Sequence, residues 1–535
     1  MPLATKTRAS KQPFQSLTQL TIEGFETPFA QKLDSKNRWA VLGRLIPWDD
    51  IVGIYFKVMR NSVIGASSIN PRVALGALII KHLANLSDEE TILQIQENMY
   101  MQYFLGFSSF NVDPCFDPSL FVEIRKRLGV EQINAINEKI IALSFQKSVE
   151  KGNHSPAAKD STEDATKIVE AHLANNQTDE QQTPVLSIVN PEREEPAPKG
   201  RLLVDATACP QDIAYPTDLN LLNEAREKSE ELIDFLYETH PKYGSSELVK
   251  PRTYRENARK DYLLVAKKKK KTSKQIRRAI REQLQYLNRN IGHINGLMDG
   301  FSLFPLKQKE QKYLWVITEL YRQQHHMWEQ NVRRIEDRIV SIHQPHVRPI
   351  VRGKQTANTE FGAKIHVGLV NGYAFLDHLS WDAFNESTYL KDSVEAYKRR
   401  FGYYPEEVLA DQIYGTRANR ELLKSLQIKL HTKPLGRPPA VKQEQHIRPG
   451  ERNPIEGKFG QAKIKYGLNR IRARLKETSQ SWIASIFLVL NLVKLAGVAP
   501  LWLYLRKSRY WSNLLCGNLI NYRVSCVMGR GLLFQ

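Results

Sequence analysis

Cysteine is scarce in this 535-residue chain. There are four, Cys115, Cys209, Cys516 and Cys526, and no two form a C-x-x-C pair. That argues against a disulfide-stapled secreted domain and against a zinc ribbon. Met1 to Gln19 carry no apolar core of the kind a secretory signal needs. A clean membrane-length apolar run is also missing. Trp482 to Leu505 comes nearest, but Asn491 and Lys494 interrupt it, so it is expected to be a buried core helix. Acid is in deficit: 57 Asp and Glu stand against 77 Lys and Arg, a formal charge of +20. With 41% hydrophobic residues, the chain has enough apolar material for several buried cores. Together these features describe a reduced, cytoplasmic, multidomain protein with a polyanionic partner, either nucleic acid or an anionic membrane surface.

The positive charge is concentrated. Residues 251–290 contain 14 Lys and Arg and three acids, a local charge of +11. A run of this kind is the footprint expected of contact with a phosphate backbone, and a solvated surface helix is its bland counterpart. Lys267, Lys268, Lys269, Lys270, Lys271, Arg277 and Arg278 are its centre and the candidate phosphate contacts. Residues 148–200 have the opposite character, with no aromatic residue, five prolines and ten acids against five bases. They read as a flexible, acidic linker that does not bind DNA.

Around the linker the patterning is regular. Residues 1–146 form an N-terminal region whose part from residue 40 onward reads as helical. Asn70-Pro71 opens one helix, Ser87-Asp88-Glu89-Glu90 opens another as a capping box, and Asp117-Pro118 opens a third with Arg125, Lys126 and Arg127 in its last turn. This suits a small helical DNA-binding module, and equally an ordinary helical bundle. After the linker, Leu202-Leu203-Val204 reads as a short buried strand ending in Asp205. Residues 219–345 read as a helical insertion that carries the basic run. Lys364–Val370 and Tyr373–Trp381 are two strands joined by Asn371-Gly372, a hairpin turn signal. Next come a helix at Ser387–Arg400, a strand at Glu407–Ala410 ending in Asp411, a helix at Arg417–Leu426 and a strand at Ile428–Thr432. A Pro/Gly loop and a helix from Asn453 follow. The fold class expected is a multidomain α+β or α/β chain: a helical N-terminal domain, then a mixed sheet over 201–218 and 346–495, interrupted after its first strand by the insertion. The tail, 496–535, has no readable role.

Two acids, Asp205 and Asp411, end predicted strands, where a rigid scaffold positions ligand chemistry. Glu456 lies on the helix after the last strand. Three converging carboxylates form an all-oxygen site suited to Mg2+, and two such ions would clamp the oxygens of an in-line phosphoryl transfer. On the Glu456 helix, Arg452 falls about 40° and Lys463 about 20° around the axis from the carboxylate, so one face shows Arg, Glu and Lys in line. Ile455, Phe459, Ala462 and Tyr466 make a neighbouring stripe suited to packing on the sheet. The alternative is a surface helix with an Arg–Glu pair. Cys209 reads as an incidental thiol, and His366 and His378 as packed or solvent-facing side chains.

At these residues the chain resembles the bacterial insertion-sequence DDE transposases. The resemblance rests on L-L-V-D-A-T (202–207), V-L-A-D-Q-I-Y-G (408–415) and R-N-P-I-E-G-K-F-G-Q-A-K (452–463). The last matches the family signature Y-(2)-R-(3)-E-(6)-K at Arg452, Glu456 and Lys463, and departs from it at the Tyr position, which is Pro449. The resemblance implies a ribonuclease-H-like catalytic domain. It implies Asp205, Asp411 and Glu456 as catalytic metal ligands for two Mg2+ ions, with Mn2+ as a substitute, and Arg452 and Lys463 as phosphate contacts. It also implies an N-terminal domain that binds the element's terminal repeats, double-stranded DNA as partner and a homodimer in the synaptic complex. The chemistry implied is hydrolytic cleavage at the element's end, then attack of the freed 3′-OH on a target strand. Competing functions are a catalytically silent transposase-derived DNA-binding protein, a ribonuclease-H-like nuclease, and a recombinase using a Tyr or Ser nucleophile.

Overall fold

The computed structural model describes residues 32–58, 69–152, 196–351, 359–433 and 450–497. Most of the acidic linker, the loop containing Pro449 and nearly all of the C-terminal tail lie outside them, as do Cys516 and Cys526. The described residues form fifteen α-helices and six strands.

The strands are β1 (Arg201–Pro210), β2 (Arg348–Val351), β3 (Thr359–Val370), β4 (Tyr373–Ser380), β5 (Glu407–Leu409) and β6 (Lys429–His431). They make one mixed sheet in the order β2-β3-β1-β5-β6, with β4 also paired to β3. β3 runs antiparallel to β1, β2 and β4, whereas β5 and β6 run parallel to β1. This α+β architecture is compatible with a ribonuclease-H-like fold. The β3–β4 turn forms where the dipeptide predicts it. Asn371 and Gly372 both take positive φ, 49° and 78°, as a two-residue hairpin of the favoured twist requires.

β1 differs from its expectation. It does not stop at Asp205 but continues to Pro210, because β3 pairs with it from Leu203 to Pro210. β5 pairs only with Arg201 to Leu203. Asp205 is therefore mid-strand, at the point where the parallel neighbour has already ended.

The N-terminal helices are α1 (Arg38–Leu45), α2 (Trp48–Val58), α3 (Pro71–Ala84), α4 (Asp88–Glu97), α5 (Met99–Leu105), α6 (Leu120–Arg127) and α7 (Val130–Gly152). Asn70 caps α3 by accepting from Arg72 N, with Pro71 in the first turn. Ser87 caps α4 by accepting from Glu90 N, while the Glu90 carboxylate accepts from Gln94 instead of closing the expected box. The insertion supplies α8 (Asp218–Thr239), α9 (Arg255–Ala266), α10 (Ser273–Met298) and α11 (Gln308–Glu329), which share a core of their own around Leu222, Leu236, Leu287 and Leu320. α12 (Leu390–Phe401) and α13 (Arg417–Ser425) cover one sheet face, where Leu202 and Val204 meet Val394, Tyr397 and Leu423. α14 (Asn453–Lys465) and α15 (Lys476–Ala496) lie on the other face. Ile455, Phe459, Ala462 and Tyr466 are all buried there, as the stripe predicts.

α15 is long and apolar enough to cross a membrane by length and composition, yet it is largely buried. It packs between the sheet and α3, α6 and α7, so the N-terminal helices and that sheet face share one continuous core. Its two polar interruptions have assigned partners. Asn491 donates to Ala374 O (2.7 Å), accepts from Ala374 N (2.9 Å) and meets Asn137. Lys494 donates to Asn371 O at the hairpin turn. β4 is an edge strand, and Asn134 also satisfies its Leu376 carbonyl. Buried side-chain amides thus close an edge whose backbone groups would otherwise be orphaned. Replacing Asn491 by Leu keeps the volume but strands the Ala374 N–H and leaves its carbonyl with only a long 3.4 Å bond from Asn137. A buried orphan costs about 1–3 kcal/mol, so Asn491→Leu should lower stability by about 1–3 kcal/mol despite raising core hydrophobicity. Denaturant unfolding checks this; an unchanged midpoint would contradict it.

Candidate active site

Two acids meet at the notch left by the short β5. Asp205 projects from β1, with its Oδ1 accepting from Ala206 N at 2.8 Å. Asp411 follows β5 directly and caps a one-turn 3-10 helix, accepting from Gln412 N at 2.8 Å. Its carbonyl accepts from Thr432 Oγ1 at 3.1 Å, which ties the turn to the end of β6. Asp205 is mostly buried, with 18% of its side chain exposed, whereas 59% of the Asp411 side chain faces solvent.

Arg452 joins them. It occupies the N-cap position of α14, with one guanidinium nitrogen 3.1 Å from Asp411 and another 3.5 Å from Asp205. One cation thus serves two carboxylates that would otherwise repel each other. The balance is incomplete at Asp205. Burial pushes its carboxyl up to about 6, the negative charges of Glu386 and Asp411 add to the rise, and the Ala206 amide and Arg452 oppose it.

Glu386 is the acid that the linear pattern does not reveal. It begins a 3-10 turn ahead of α12 and is paired with Lys364 of β3 at 2.9 Å. Asn419 ties this turn to the Asp411 turn by donating to both Ser387 O and Tyr414 O. Tyr414 lies beneath them, fully buried, with no hydrogen-bond partner for its hydroxyl among the described residues. Burial and the nearby charges of Glu386 and Asp205 hold that phenol well above its usual range. Its signal was present in the sequence: Tyr414 is the tyrosine of the V-L-A-D-Q-I-Y-G block. Nothing local ties Glu386 or Lys364 to Asp205.

Glu456 lies one turn beyond Arg452 on α14 and is exposed. Among the described residues, no three His, Cys, Asp or Glu side chains are already gathered to hold a metal ion. Asp205 and Asp411 nevertheless form a hard-oxygen pair that already shares a cation, the donor chemistry a divalent ion requires. Lys463, further along α14, is half-buried. Lys267, Lys268, Lys269, Lys270 and Lys271 span the end of α9 and the turn before α10, all exposed and without an acidic partner among the described residues. Arg277 and Arg278 are exposed but engaged. Arg277 stacks on Trp328 at 4.9 Å and donates to Asn331, and Arg278 pairs with Glu282.

The discounted side chains are structural. His366 is fully buried against Ser393, whose hydroxyl lies 2.7 Å from Asp377. His378 stacks on Tyr389 at 3.8 Å, and Cys209 is buried in the core.

Residues 408–493 match the family described as a transposase DDE domain, and residues 27–127 match a transposase domain (DUF772). The first match covers Asp411, Arg452, Glu456 and Lys463; the second covers α1 to α6. The chain is also 29% identical over 118 residues to an uncharacterised protein, ORF8 of the nfe locus of Rhizobium meliloti. That match covers 22% of this chain and 53% of the relative, so the chain spans about half of the relative's length. No solved structure matches the chain. The two domain matches, one on the helices before the linker and one on the second half of the acid-bearing sheet, support a likeness to the insertion-sequence DDE transposases.

Proposed function

We propose that the chain is a DNA transposase that binds the terminal repeats of an insertion sequence and catalyses metal-dependent strand cleavage and strand transfer. The observation that carries this reading is the meeting of Asp205 and Asp411 on one shared cation, with Glu456 one helical turn beyond. Asp205, Asp411 and Glu456 would hold Mg2+ (two ions in the full reading), with Mn2+ as a substitute. Such ions supply Lewis-acid stabilisation of the attacking and leaving oxygens in phosphoryl transfer.

The chain's own residues have distinct tasks. Asp205 and Asp411 fix the site on the sheet, one on a central strand and one on a turn pinned by Thr432 and Asn419. Arg452 holds the acids together while the site is empty of substrate. Once their charge is otherwise neutralised, its guanidinium is free to take a DNA phosphate, a geometry arginine suits. Lys463 extends that line of positive charge along α14. The insertion's lysine turn grips DNA away from the chemistry, the N-terminal helices bind the element's ends, and two copies assemble across two ends in a homodimer.

Three outcomes test this reading. Asp205→Asn, Asp411→Asn and Glu456→Gln should each bind DNA carrying the element's ends yet fail to cleave it, and EDTA should abolish cleavage by the unaltered protein. Wild-type-like cleavage by one variant would remove that residue from the site. Second, replacing Lys267 to Lys271 by Gln should weaken DNA binding. The dependence of log affinity on log salt should flatten by about 0.9 for each phosphate the protein no longer neutralises; an unchanged slope would show that the turn does not touch DNA.

The third outcome follows from the carboxyl of Asp205. A folded-state value raised to about 6, above the ordinary 3.8, means that the folded protein holds this proton more tightly than the unfolded chain. The associated stability is present below about pH 4 and is lost as pH rises through 6. Metal-free Asp205→Asn should therefore melt at a higher temperature than wild type at pH 7 and close to it at pH 4. Thermal melts at the two pH values check the sign, and a lower melting point for the variant at pH 7 would refute it.

A further inference from the structure

A groove of about 680 Å³ opens where the insertion meets the sheet. Its walls are Tyr215, after the end of β1, and Phe361 on β3, whose rings meet edge to face at 5.5 Å. Leu221 and Val340 contribute apolar wall, and Arg333 and Arg334 stand on its rim. Both arginines are exposed and unpaired with any acid among the described residues, and no acid lines the groove. Tyr215 is 71% exposed, although it is large and aromatic.

The arginine rim is built rather than incidental. The segment carrying it is clamped by Arg338, which donates to Arg333 O at 2.9 Å and pairs with Asp218 in the first turn of α8. Asp218 also accepts from Gln324 of α11 at 2.9 Å, so two insertion helices fix the loop. Two cations are thereby presented over an aromatic wall without a partner of their own.

The groove lies along the strand that carries the catalytic candidate. Pro210, at the end of β1, is five residues beyond Asp205, about 17 Å at the rise of an extended strand. At about 3.4 Å per phosphate, that corresponds to some five nucleotides of a B-form strand. The cube root of the groove volume is about 9 Å. A duplex, whose major groove alone is about 12 Å wide, does not fit such a space. An unpaired nucleotide does: an aromatic face stacks any base, and unpaired arginines take its phosphates.

We infer that this groove is a binding subsite for single-stranded DNA, holding a stretch of unpaired strand a few nucleotides from the phosphate to be cut. The inference rests on the reading of the chain as a DNA strand-transfer enzyme and adds a second contact point to it. Arg333 and Arg334 hold the backbone, Tyr215 stacks a base, and the lysine turn of the insertion holds duplex elsewhere.

The test uses the full chain, metal-free, with a fluorescently labelled single-stranded decanucleotide of mixed sequence and its duplex counterpart, both read by anisotropy. Arg333→Ala with Arg334→Ala should weaken single-strand binding tenfold or more and flatten its salt dependence by about 1.4, while duplex affinity changes less than twofold. Tyr215→Ala should weaken single-strand binding about tenfold, and Tyr215→Phe should leave it intact. A decanucleotide carrying 5-iododeoxyuridine should photocrosslink to Tyr215. Undetectable single-strand binding by the wild type, unchanged binding by the arginine variant, or an equal loss for duplex would each overturn the subsite. Asp205→Asn separates the two readings. It should abolish cleavage in Mg2+ while keeping single-strand binding. Loss of the groove's binding with cleavage intact sinks only the subsite, and groove binding without wild-type cleavage sinks only the catalytic reading.

Discussion

The unequal pairing of β1 is the constraint on which the site depends. On one side its partner β3 follows it from Leu203 to Pro210; on the other β5 leaves after Leu203. From Val204 until Ile471 bonds to Pro210 O, the strand has a strand neighbour on one side only, and a polar notch opens there. Asp205 faces the notch from the strand that continues, and Asp411 from the turn that begins where β5 stops. Had β5 paired as far as β3 does, Asp205 would be enclosed by sheet on both sides. A buried carboxylate without a cation is too costly to keep. The notch is also where the N-terminus of α14 arrives, bringing Arg452 to both acids.

The remainder of the fold is tied together by polar groups on its apolar helices. α15 has the hydropathy of a membrane-length helix, yet Asn491 and Lys494 on it are what secure the β3–β4 hairpin. At the far side of the same helix, Trp482 packs under a buried charge cluster. Asp88 takes Lys81 and, through two 2.8 Å bonds, Arg125, and both cations lie over the Trp482 ring. Burial lowers Lys81 to about 8, with Asp88 opposing the shift. Cations removed from water this completely are retained only when paired and geometrically fixed. The cluster therefore fixes how α3, α4 and α6 sit against α15. Arg125, one of three basic residues in the last turn of α6, is turned inward to that task and is not available to DNA.

Much of this was legible in the sequence because it is local. The turn at Asn371-Gly372 is dictated by two residues that accept positive φ. The order of strands and helices from 359 to 465 follows the apolar periods closely, and the stripe on α14 names its own buried face. Asn491 and Lys494 were visible as interruptions, although their partners were not. What local pattern did not show depends on pairing between distant segments. The length of β1 is set by β3, more than 150 positions away, so an acid read as ending a strand lies within one. Strand β2 is too short to announce itself. Glu386 reaches the site only because Asn419 draws its turn against the Asp411 turn, and Lys364 holds it from another strand. Convergence of Glu456 is not a property of α14 alone either, since the same helix presents Arg452 to the acids and leaves Glu456 in solvent.

That last arrangement has a physical logic. The site gathers acids that the fold only partly neutralises: burial first, and then the charges of Glu386 and Asp411, raise the Asp205 carboxyl against Arg452 and the Ala206 amide. Stability and function pull in opposite directions at such a site. A single arginine between the acids relieves part of the repulsion without occupying the site permanently. It is monovalent where the acids can accept more charge, and it stands at a helix end rather than within a packed core. The overall charge of +20 is divided in the same way. On the lysine turn and the rim formed by Arg333 and Arg334, the positive side chains have no acidic partner among the described residues and are exposed. Three whose side chains are buried, Arg125, Arg226 and Arg400, are each paired with acids of the chain itself. Pairing therefore tells more than position along the chain about which cations serve the fold.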